Sequence, residues 1–216
     1  MLDLLFATTN PGKLRELRRL VEGMPVRVVS PADLGRPLPE VEEDGATFQA
    51  NAEKKASAYA RAAGLHALAD DSGLCVDALW GMPGIRSARW SEPEAPGLSG
   101  LERDRANNQK LLLALRGVPP EIRGAEYRAV LALAAPDGRV VAAVSGSCRG
   151  RIAEGARGEQ GFGYDPLFVP EAEIHREGHR PRTMAELPPA EKDALSHRGD
   201  AFRKMLPLLR QAAANV

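Results

Sequence analysis

The chain is poor in cysteine, carries no surplus of either charge and contains no long apolar run. Only Cys75 and Cys148 occur in its 216 residues, which is too few for a disulfide framework, and no C-x-x-C spacing indicates zinc. The apolar run from Leu2 to Ala7 follows no basic segment and is too short for a signal peptide or a membrane span. We therefore expect a cytoplasmic protein with reduced cysteines and no membrane partner.

The balance of charges argues against nucleic acid as a partner. Lys and Arg together number 29, as do Asp and Glu, so the formal net charge is zero. Proteins that bind nucleic acid usually carry a basic surplus that neutralises phosphates, and an RNA-binding module would also need an aromatic strand that is not seen here. We expect any phosphate-bearing partner to be a small molecule in a local pocket.

Strands and helices alternate in the first half of the sequence, and a hairpin follows in the second half. Thr47 is a suitable N-cap for a helix that ends at Gly64. A strand is expected over Leu65 to Ala69, broken by Asp70 to Gly73 and resumed at Leu74 to Val76. Pro136-Asp137-Gly138 joins two further strands, Tyr127 to Ala135 and Val140 to Ser147. The pattern predicts a mixed α/β fold.

The first turn of the chain is the best candidate for binding phosphate. A strand reaches a helix through Thr8 to Lys13, so that backbone N–H groups and the positive helix end point to one place. Lys13 would lie in the first helical turn, where the helix dipole disfavours a cation unless an anion is bound. The spacing is not that of a Walker A loop. The alternative is an ordinary loop with a solvated lysine.

Two pairs of adjacent carboxylates are candidates for a metal site. Asp70-Asp71 precede Ser72-Gly73, and Glu42-Glu43 precede a helix. Mg²⁺ binds to one or two carboxylates together with substrate phosphates. Side chains alternate along extended backbone, so only one of the two aspartates needs to face the metal. The alternative for Asp70-Asp71 is a simple Asx turn.

Two motifs in the second half combine aromatic or basic side chains with glycine. The turn Gly161 to Pro166 contains two aromatic residues and is suited to stacking on a base, or to closing the edge of the core. Ser196-His197-Arg198-Gly199 joins two predicted helices and offers hydrogen-bond donors, or caps a helix. Each signal is weak when taken separately.

Taken together and in order, these motifs resemble the inosine-triphosphate pyrophosphatase family, also called the Ham1 family, and the resemblance spans nearly the whole chain. The motifs are Thr8-Thr9-Asn10-Pro11-Gly12-Lys13, Glu42-Glu43-Asp44-Gly45-Ala46-Thr47-Phe48, Ala69-Asp70-Asp71-Ser72-Gly73, Gly161-Phe162-Gly163-Tyr164-Asp165-Pro166 and Ser196-His197-Arg198-Gly199.

The resemblance implies a role for each matching residue. The triphosphate would be held by the first loop, which consists of Thr8, Thr9, Asn10, Pro11, Gly12 and Lys13, and Lys55 would lie near the phosphates. Glu42 and Asp71 would hold Mg²⁺, Asp71 would also be the general base, and Ser72 would contact substrate. The base pocket would consist of Phe162, Gly163, Tyr164, Asp165, His197 and Arg198. Arg182 stands where bacterial members commonly carry a lysine before the Thr-x-Ala-Glu-Leu segment, so it is a further candidate for a substrate contact.

The resemblance also implies an architecture and a reaction. The fold would be one domain over residues 1–216, elongated and two-lobed, with a curved mixed sheet flanked by helices and a nucleotide cleft between the lobes. The enzyme would hydrolyse ITP, dITP or XTP at the α–β bond to the monophosphate and pyrophosphate, and it would be a homodimer. The alternatives are a Maf-like pyrophosphatase acting on modified pyrimidines and a noncatalytic nucleotide sensor. The Gly-Phe-Gly-Tyr-Asp and Ser-His-Arg segments argue against the first, and the presence of Glu42, Lys55 and Asp71 against the second.

Overall fold

The computed structural model of the chain describes residues 1–214, in which strands and helices alternate as predicted. The strands are β1 (Leu2–Phe6), β2 (Val26–Val29), β3 (His66–Val76), β4 (Gly124–Ala134), β5 (Val140–Ile152) and β6 (Phe168–Pro170). The helices are α1 (Pro11–Leu20), α2 (Phe48–Ala63), α3 (Gly100–Ala114), α4 (Glu171–Ile174), α5 (Pro189–Leu195) and α6 (His197–Ala214). The mixed α/β class is confirmed. Among residues 1–214, no helix is both long enough and apolar enough to cross a membrane.

Within the described residues, the strands form a six-stranded sheet in the order β2-β1-β3-β4-β5-β6. Strand β1 runs parallel to β2 and to β3, and Phe6 stands opposite Leu68. The carboxyl ends of β1 and of the first half of β3 therefore lie side by side, and Thr8 and Asp70 follow at that place. The predicted hairpin is also confirmed, because the N–H of Gly138 donates to the carbonyl of Ala135 in the turn between β4 and β5.

Strand β3 differs from the sequence prediction. It continues without interruption through Asp70, Asp71, Ser72 and Gly73, where a break was expected. Residues of these types favour turns when they are considered alone. Here β3 lies in the interior of the sheet, between β1 and β4, and pairs with β1 over His66 to Leu68, so the segment continues a strand that sheet pairing has already begun.

The chain separates by its contacts into two compact units. The first comprises Met1–Asp71, Ala129–Gly146 and the part from Arg198 onward, and the second comprises Ser72–Arg128 and Ser147–His197. The boundaries fall inside β3, β4 and β5, so each of these strands begins in one unit and ends in the other. A single domain over the whole chain remains a prediction.

In the first unit, alternate residues of the strands pack against helices on opposite faces of the sheet. On one face, strand residues pack against α1 and α6, and the buried members are Leu4, Phe6, Leu17, Val21, Leu68, Ala129, Leu131, Leu133, Ala201, Phe202, Met205 and Leu209. On the other face, the buried side chains that α2 contributes to this cluster are alanines, with Tyr59 partly buried beside them. The buried members are Leu5, Ala7, Ala52, Ala56, Ala60, Ala67, Ala69, Ala132 and Ala134. Alanine at these positions lets the backbone of α2 approach the sheet closely.

Helix α2 begins and ends as the sequence predicts. The hydroxyl of Thr47 accepts a hydrogen bond from the N–H of Ala50 at 3.1 Å, and Gly64 adopts φ +70° directly after the last helical residue. These caps fix the position of α2 along the sheet. The side chains of Asn51 and Lys55, one turn apart, consequently project from the same face of the helix.

The second unit has a core of its own. It combines β3, β4, β5 and β6 residues with α3 and with two turns, and its members are Leu74, Val76, Leu111, Leu115, Ala125, Tyr127, Cys148, Ile152, Tyr164, Leu167, Phe168, Met184 and Leu187. A capping box is present at Thr183, because the N–H of Thr183 donates to Glu186 Oε2 at 2.8 Å.

Candidate functional site

The first loop ends in a capped helix. The Asn10 side chain accepts hydrogen bonds from the N–H groups of Gly12 and Lys13, at 2.8 and 3.2 Å, and the N–H of Asn10 donates to the Thr8 hydroxyl at 3.1 Å. The sequence predicted that the N–H groups at the start of this helix point at a phosphate. In the structure Asn10 occupies both of them, because asparagine at this position is a favoured N-cap. Of the residues of this loop that were predicted to contact phosphate, Lys13 is therefore the one whose side chain carries a full positive charge.

Lys13 belongs to a buried network of charged side chains. Its ammonium group pairs with Asp70, and the Arg198 guanidinium donates from Nε to Asp70 Oδ2 at 2.8 Å and from Nη1 to Glu16 Oε2 at 2.5 Å. The side chains of Asp70, Arg198 and Glu16 are 0%, 3% and 6% exposed. Burial alone would raise the pKa of Asp70, but the charges of Arg198 and Lys13 hold it well below its ordinary value. Asp70 is thus a buried anion that organises two cations.

Burial also acts on the Lys13 ammonium. It lowers the pKa of Lys13, and the neighbouring charges of Arg198 and Lys55 act in the same direction, whereas Asp70 opposes the shift. The Lys55 ammonium donates to the backbone carbonyl of Asp70 at 3.0 Å. Three cations are therefore gathered around the middle of β3. This concentration of positive charge is suited to an anionic ligand.

Asp70 and Asp71 point to opposite sides of β3, as the sequence analysis predicted from their adjacency. Asp70 faces Lys13 and Arg198, whereas Asp71 Oδ2 accepts a hydrogen bond from Asn51 Nδ2 at 3.0 Å. Burial raises the pKa of Asp71, the charge of Glu43 adds to the rise, and the Asn51 hydrogen bond with Lys55 and Lys13 opposes it. Asp71 is the carboxylate of this pair whose proton affinity is increased, which suits a general base.

In the acidic segment before α2, Glu42 and Glu43 lie in different surroundings, and the metal role of Glu42 stays a prediction. Glu42, the predicted metal ligand, is exposed, whereas Glu43 Oε1 accepts a hydrogen bond from Lys55 Nζ at 2.5 Å. The side chains of Glu43 and Lys55 are 25% and 12% exposed. Alternation along this extended segment turns Glu42 outward and Glu43 inward. Glu43 is accordingly the residue of this segment whose charge reaches Asp71.

The donor set around Asp71 fits a Mg²⁺ ion that is shared with substrate. No group of three or more His, Cys, Asp and Glu side chains is gathered among residues 1–214, so the protein offers no complete metal cage there. Mg²⁺ does not require one, because it uses one or two carboxylates together with phosphates and water. Asp71 and Glu43 supply two carboxylates, and the pKa of Asp71 is raised first by burial and further by repulsion from Glu43. A divalent cation at that place would relieve this repulsion.

In the second unit, the Gly-rich turn with two aromatics is built around a buried ion pair. Lys192 Nζ donates to Asp165 Oδ2 at 2.6 Å, and the side chains are 7% and 5% exposed. The N–H of Phe162 donates to the same Asp165 oxygen at 2.9 Å, and the Lys192 ammonium lies 4.9 Å from the centre of the Phe162 ring. Gly161, with φ +80°, allows the close approach of Asp165. An ammonium group and an aromatic face are thus presented together.

Further hydrogen bonds stabilise the turn from Gly161 to Pro166. The N–H of Gly163 donates to Asp104 at 2.7 Å, its carbonyl accepts from Asn108 at 2.9 Å, and the Tyr164 hydroxyl donates to the carbonyl of Ser87 at 2.9 Å. Burial raises the pKa of Tyr164, so its hydroxyl stays protonated as a donor. Tyr164 is therefore a buried support of the turn, which leaves Phe162 as the aromatic half-exposed at its surface.

His197 stacks on the core of the second unit. Its ring lies parallel to that of Tyr127, with centroids 4.5 Å apart and an interplanar angle of 6°, and Tyr127 in turn packs against Phe168. Ser196 ends α5 and His197 begins α6, so the predicted junction between two helices is confirmed. The short connection fixes the direction in which the His197 ring leaves the backbone.

Arg182, the predicted substrate contact, is engaged in a different network. Its guanidinium donates to Glu173 from Nε at 2.9 Å and from Nη2 at 2.8 Å, and to Glu191 at 2.6 Å. The Arg182 hydrogen bonds hold the pKa of Glu173 at about 2. A planar guanidinium matches a carboxylate with two parallel bonds. Arg182 therefore fastens the 171–182 loop, and it is Lys192 that lies against the Phe162 to Asp165 turn.

Sequence reasoning overlooked Lys192, Asn51 and Glu16, and it named Glu43 only as the neighbour of Glu42. Lys192 stands five residues before His197 in a short helix, which is a position without a distinctive local signal. Asn51 has a faint one, since a buried polar residue on the alanine-rich face of α2 requires a partner. The others differ from ordinary surface charges only through contacts that the fold creates.

Comparisons with known proteins show which sequences are related to this chain. The sequence profile of the Ham1 family matches residues 4–208. A protein of Anaeromyxobacter dehalogenans named dITP/XTP pyrophosphatase is 65% identical, covering 98% of this chain and 99% of the relative. A protein of the same name from Geobacter sulfurreducens is 49% identical, covering 94% of each.

Solved structures of Ham1 proteins are similar to this chain as well. The structure of a HAM1 protein from Coxiella burnetii superposes with a TM-score of 0.81 at 35% identity, covering 98% of this chain and all of that one. The nucleoside-triphosphatase / dITP/XTP pyrophosphatase of Mycobacterium abscessus has a TM-score of 0.68 at 45% identity, covering 95% of this chain and 100% of that one. The chain belongs to the Ham1 family.

Proposed function

We propose that this protein is a dITP/XTP pyrophosphatase that hydrolyses dITP, XTP and ITP between the α and β phosphates and so removes deaminated purines from the nucleotide pool. The observation that carries the proposal is the arrangement around Asp71, a buried carboxylate whose pKa is raised and which lies near the charges of Lys55 and Lys13. The names of relatives up to 65% identical support the choice of substrate. A noncatalytic sensor would have no use for a poised base, and a Maf-like enzyme would not match the Ham1 profile over nearly the whole chain.

The triphosphate would be bound chiefly by Lys13 and Lys55, with the hydroxyl groups of Thr8 and Thr9 as neutral donors. Both ammonium groups already lie at Asp70, through its carboxylate and its carbonyl respectively. Phosphate oxygens would share or replace these bonds. Because the Lys13 side chain is only 16% exposed and burial lowers its pKa, an anionic ligand would stabilise its charged form.

Asp71 would hold Mg²⁺ together with the acidic segment before α2, in which Glu42 is the predicted ligand and Glu43 is the carboxylate whose charge acts on Asp71. The ion, when bound, neutralises charge on the phosphate oxygens. The protein's own part is to bring one water molecule to Asp71. The water oxygen attacks the α phosphorus while Asp71 accepts its proton, the bond from the α phosphorus to the bridging oxygen breaks, and pyrophosphate leaves.

The base would be recognised by Phe162, Lys192 and His197, with Gly163, Tyr164 and Asp165 shaping the turn. The C6 position of hypoxanthine and xanthine bears an oxygen, which accepts hydrogen bonds, whereas that of adenine bears an amino group. The Lys192 ammonium can only donate. The role of Arg198 as a base contact stays a prediction. Its guanidinium lies buried between the carboxylates of Asp70 and Glu16.

The decisive experiment is a panel of nucleoside triphosphates assayed separately for pyrophosphate and orthophosphate, with and without Mg²⁺. We expect monophosphate and pyrophosphate from ITP, dITP and XTP, no turnover in EDTA and recovery on adding Mg²⁺. Orthophosphate as the first product, with the diphosphate accumulating, would contradict the reaction. A homodimer in the cytoplasm is the expected state of the enzyme, and light scattering after size-exclusion chromatography tests the dimer.

A further inference from the structure

Asn51 links two parts of the first unit that are distant in sequence. Its side chain is almost completely buried, with 2% of the residue exposed. Asn51 Oδ1 accepts a hydrogen bond from the N–H of Gly45 at 2.7 Å, and Asn51 Nδ2 donates to Asp71 Oδ2 at 3.0 Å. One amide group therefore bridges the acidic segment before α2 and the proposed general base on β3.

These two bonds determine which way the amide points. The Gly45 N–H is a donor and the Asp71 carboxylate, when ionised, only accepts. Rotation of the amide by 180° would set donor against donor at Gly45 and acceptor against acceptor at Asp71. The side chain has consequently one orientation that satisfies both partners, and that orientation directs an N–H at Asp71.

The bridge also has little freedom to move. Asn51 lies in the first turn of α2, which Thr47 caps, and it lies one turn before Lys55. A Cβ atom added to Gly45 would be 2.5 Å from Asn51 Oδ1 and 3.0 Å from the Ala50 Cβ. The segment before the helix therefore fits against Asn51 only because residue 45 is glycine. A hydrogen bond from such a fixed donor sets the rotation of the carboxylate that accepts it.

We propose that Asn51 is a positioning residue that holds the Asp71 carboxylate in the orientation it needs to accept the proton of the attacking water. The inference rests on the proposed role of Asp71 as the base. Asn51 itself touches neither the water nor the nucleotide. Its contribution belongs to the chemical step and leaves ground-state binding of the nucleotide largely unchanged.

Two substitutions of Asn51 separate positioning of Asp71 from anchoring of the segment at Gly45. Asn51→Asp keeps the shape and an acceptor for the Gly45 N–H, but it replaces the donor to Asp71 by a second carboxylate oxygen. Asn51→Ala removes both bonds. Loss of a partner that orients a reacting group typically lowers activity about 10- to 100-fold, and we expect a fall in kcat of that order for both variants.

Binding and folding are measured beside kcat. For Asn51→Ala we expect the dissociation constant of the α,β-methylene analogue of ITP, from isothermal titration calorimetry, to stay within about twofold of the wild type. Gly45→Ala forces either Asn51 Oδ1 or the segment before α2 to shift, so this variant should also have a lower kcat than the wild type. Gln49→Ala is the matched control, because Gln49 is an exposed amide on the same helix that bonds to Glu53.

The outcomes are distinct. Wild-type kcat in Asn51→Asp would overturn the inference and leave Asn51 as an anchor of the segment alone. A loss of kcat that in every variant matches a loss of folded protein in circular dichroism would overturn it as well. Asp71→Asn is assayed in parallel: if that variant keeps full activity, the proposed role of Asp71 fails, whereas an inactive Asp71→Asn beside a fully active Asn51→Asp refutes only the inference about Asn51.

Discussion

Asp70 and Asp71 are neighbours on β3, yet the first is neutralised by Lys13 and Arg198 and has a lowered pKa, whereas the second has a raised one. The difference follows from the alternation of side chains along a strand, which directs two identical groups into opposite surroundings. One carboxylate thereby becomes a structural anion and the other a candidate base. Substitution of each by asparagine should therefore have different consequences.

We predict that Asp71→Asn abolishes turnover in a folded protein, while Asp70→Asn mainly destabilises the fold. Loss of a general base typically lowers kcat by about 10²- to 10⁴-fold. Removal of the Asp70 charge leaves Lys13 and Arg198 buried without it, and breaking a buried pair costs about 3–5 kcal/mol. Urea denaturation and kcat measured on both variants check this. Equal stability of the two variants, or near-normal kcat in Asp71→Asn, would contradict the assignment.

We predict that the bond between Arg182 and Glu173 stabilises the fold in a pH-dependent way and does not serve the substrate. Glu173 has a pKa of about 2 in the folded protein against an ordinary value of 4.5. Its stabilisation is fully present above pH 4.5 and is lost as the pH falls through 2, because the pKa is lower in the folded state. Arg182→Gln should therefore lower the free energy of unfolding at pH 7 by about 1–3 kcal/mol, and the difference from the wild type should vanish toward pH 2.

The same variant tests the earlier assignment of Arg182 as a substrate contact. Because Arg182 pairs with the carboxylates of Glu173 and Glu191, Arg182→Gln should have little effect on kcat/KM for ITP at pH 7. A large rise in KM without a loss of stability would restore the substrate contact and contradict the structural role.

We predict that Gly161→Ala weakens use of ITP much more than Gly163→Ala. Both glycines have positive φ, +80° and +63°, so both substitutions carry similar backbone strain of about 1–2 kcal/mol. Only at Gly161 would the added Cβ also collide with the Asp165 carboxylate, whereas at Gly163 nothing lies within 4 Å. The expected result is a higher KM for ITP in Gly161→Ala at comparable stability. Equal KM values for the two variants would mean that recognition of the base does not depend on the position of Asp165.

The sequence was informative where local rules decide the structure. The cap at Thr47, the hairpin at Gly138 and the opposite directions of Asp70 and Asp71 follow from turn chemistry, capping and strand periodicity. The continuity of β3 could not be predicted in this way, because Asp-Asp-Ser-Gly favours a turn when it is considered alone and stays extended only within the folded sheet.

The contacts of the candidate site depend on long-range packing to a greater degree. Lys192 meets Asp165 across 27 residues, and Arg198 meets Asp70 across 128. No local pattern distinguishes Lys192 from Arg182, since both are basic residues near predicted turns. The fold separates them by giving Arg182 two carboxylates, the buried Glu173 and the exposed Glu191, and by placing Lys192 at the buried carboxylate of Asp165 beside an aromatic ring.

That contrast leads to a prediction about base discrimination. If Lys192 donates to the C6 oxygen of hypoxanthine or xanthine, Lys192→Met should lower kcat/KM for ITP and XTP far more than for ATP. Methionine keeps the length and the apolar contact with Phe162 while removing the donor. A hydrogen bond to a charged group contributes about 1.5–3 kcal/mol, so the preference for ITP over ATP should shrink by about 10- to 100-fold.

Lys110→Met provides the matched control for this prediction. Lys110 also places its ammonium over an aromatic ring, 4.6 Å from the centre of Trp90, and pairs with the carboxylate of Glu94. It belongs to the second unit but makes none of the contacts of the Phe162 to Asp165 turn, so its loss should leave the ratio of ITP to ATP unchanged. Because Lys192→Met also leaves Asp165 buried without its cation, stability is measured for both variants. If Lys192→Met lowers kcat/KM equally for ITP and ATP, Lys192 supports the turn through Asp165 and the base is read by other donors.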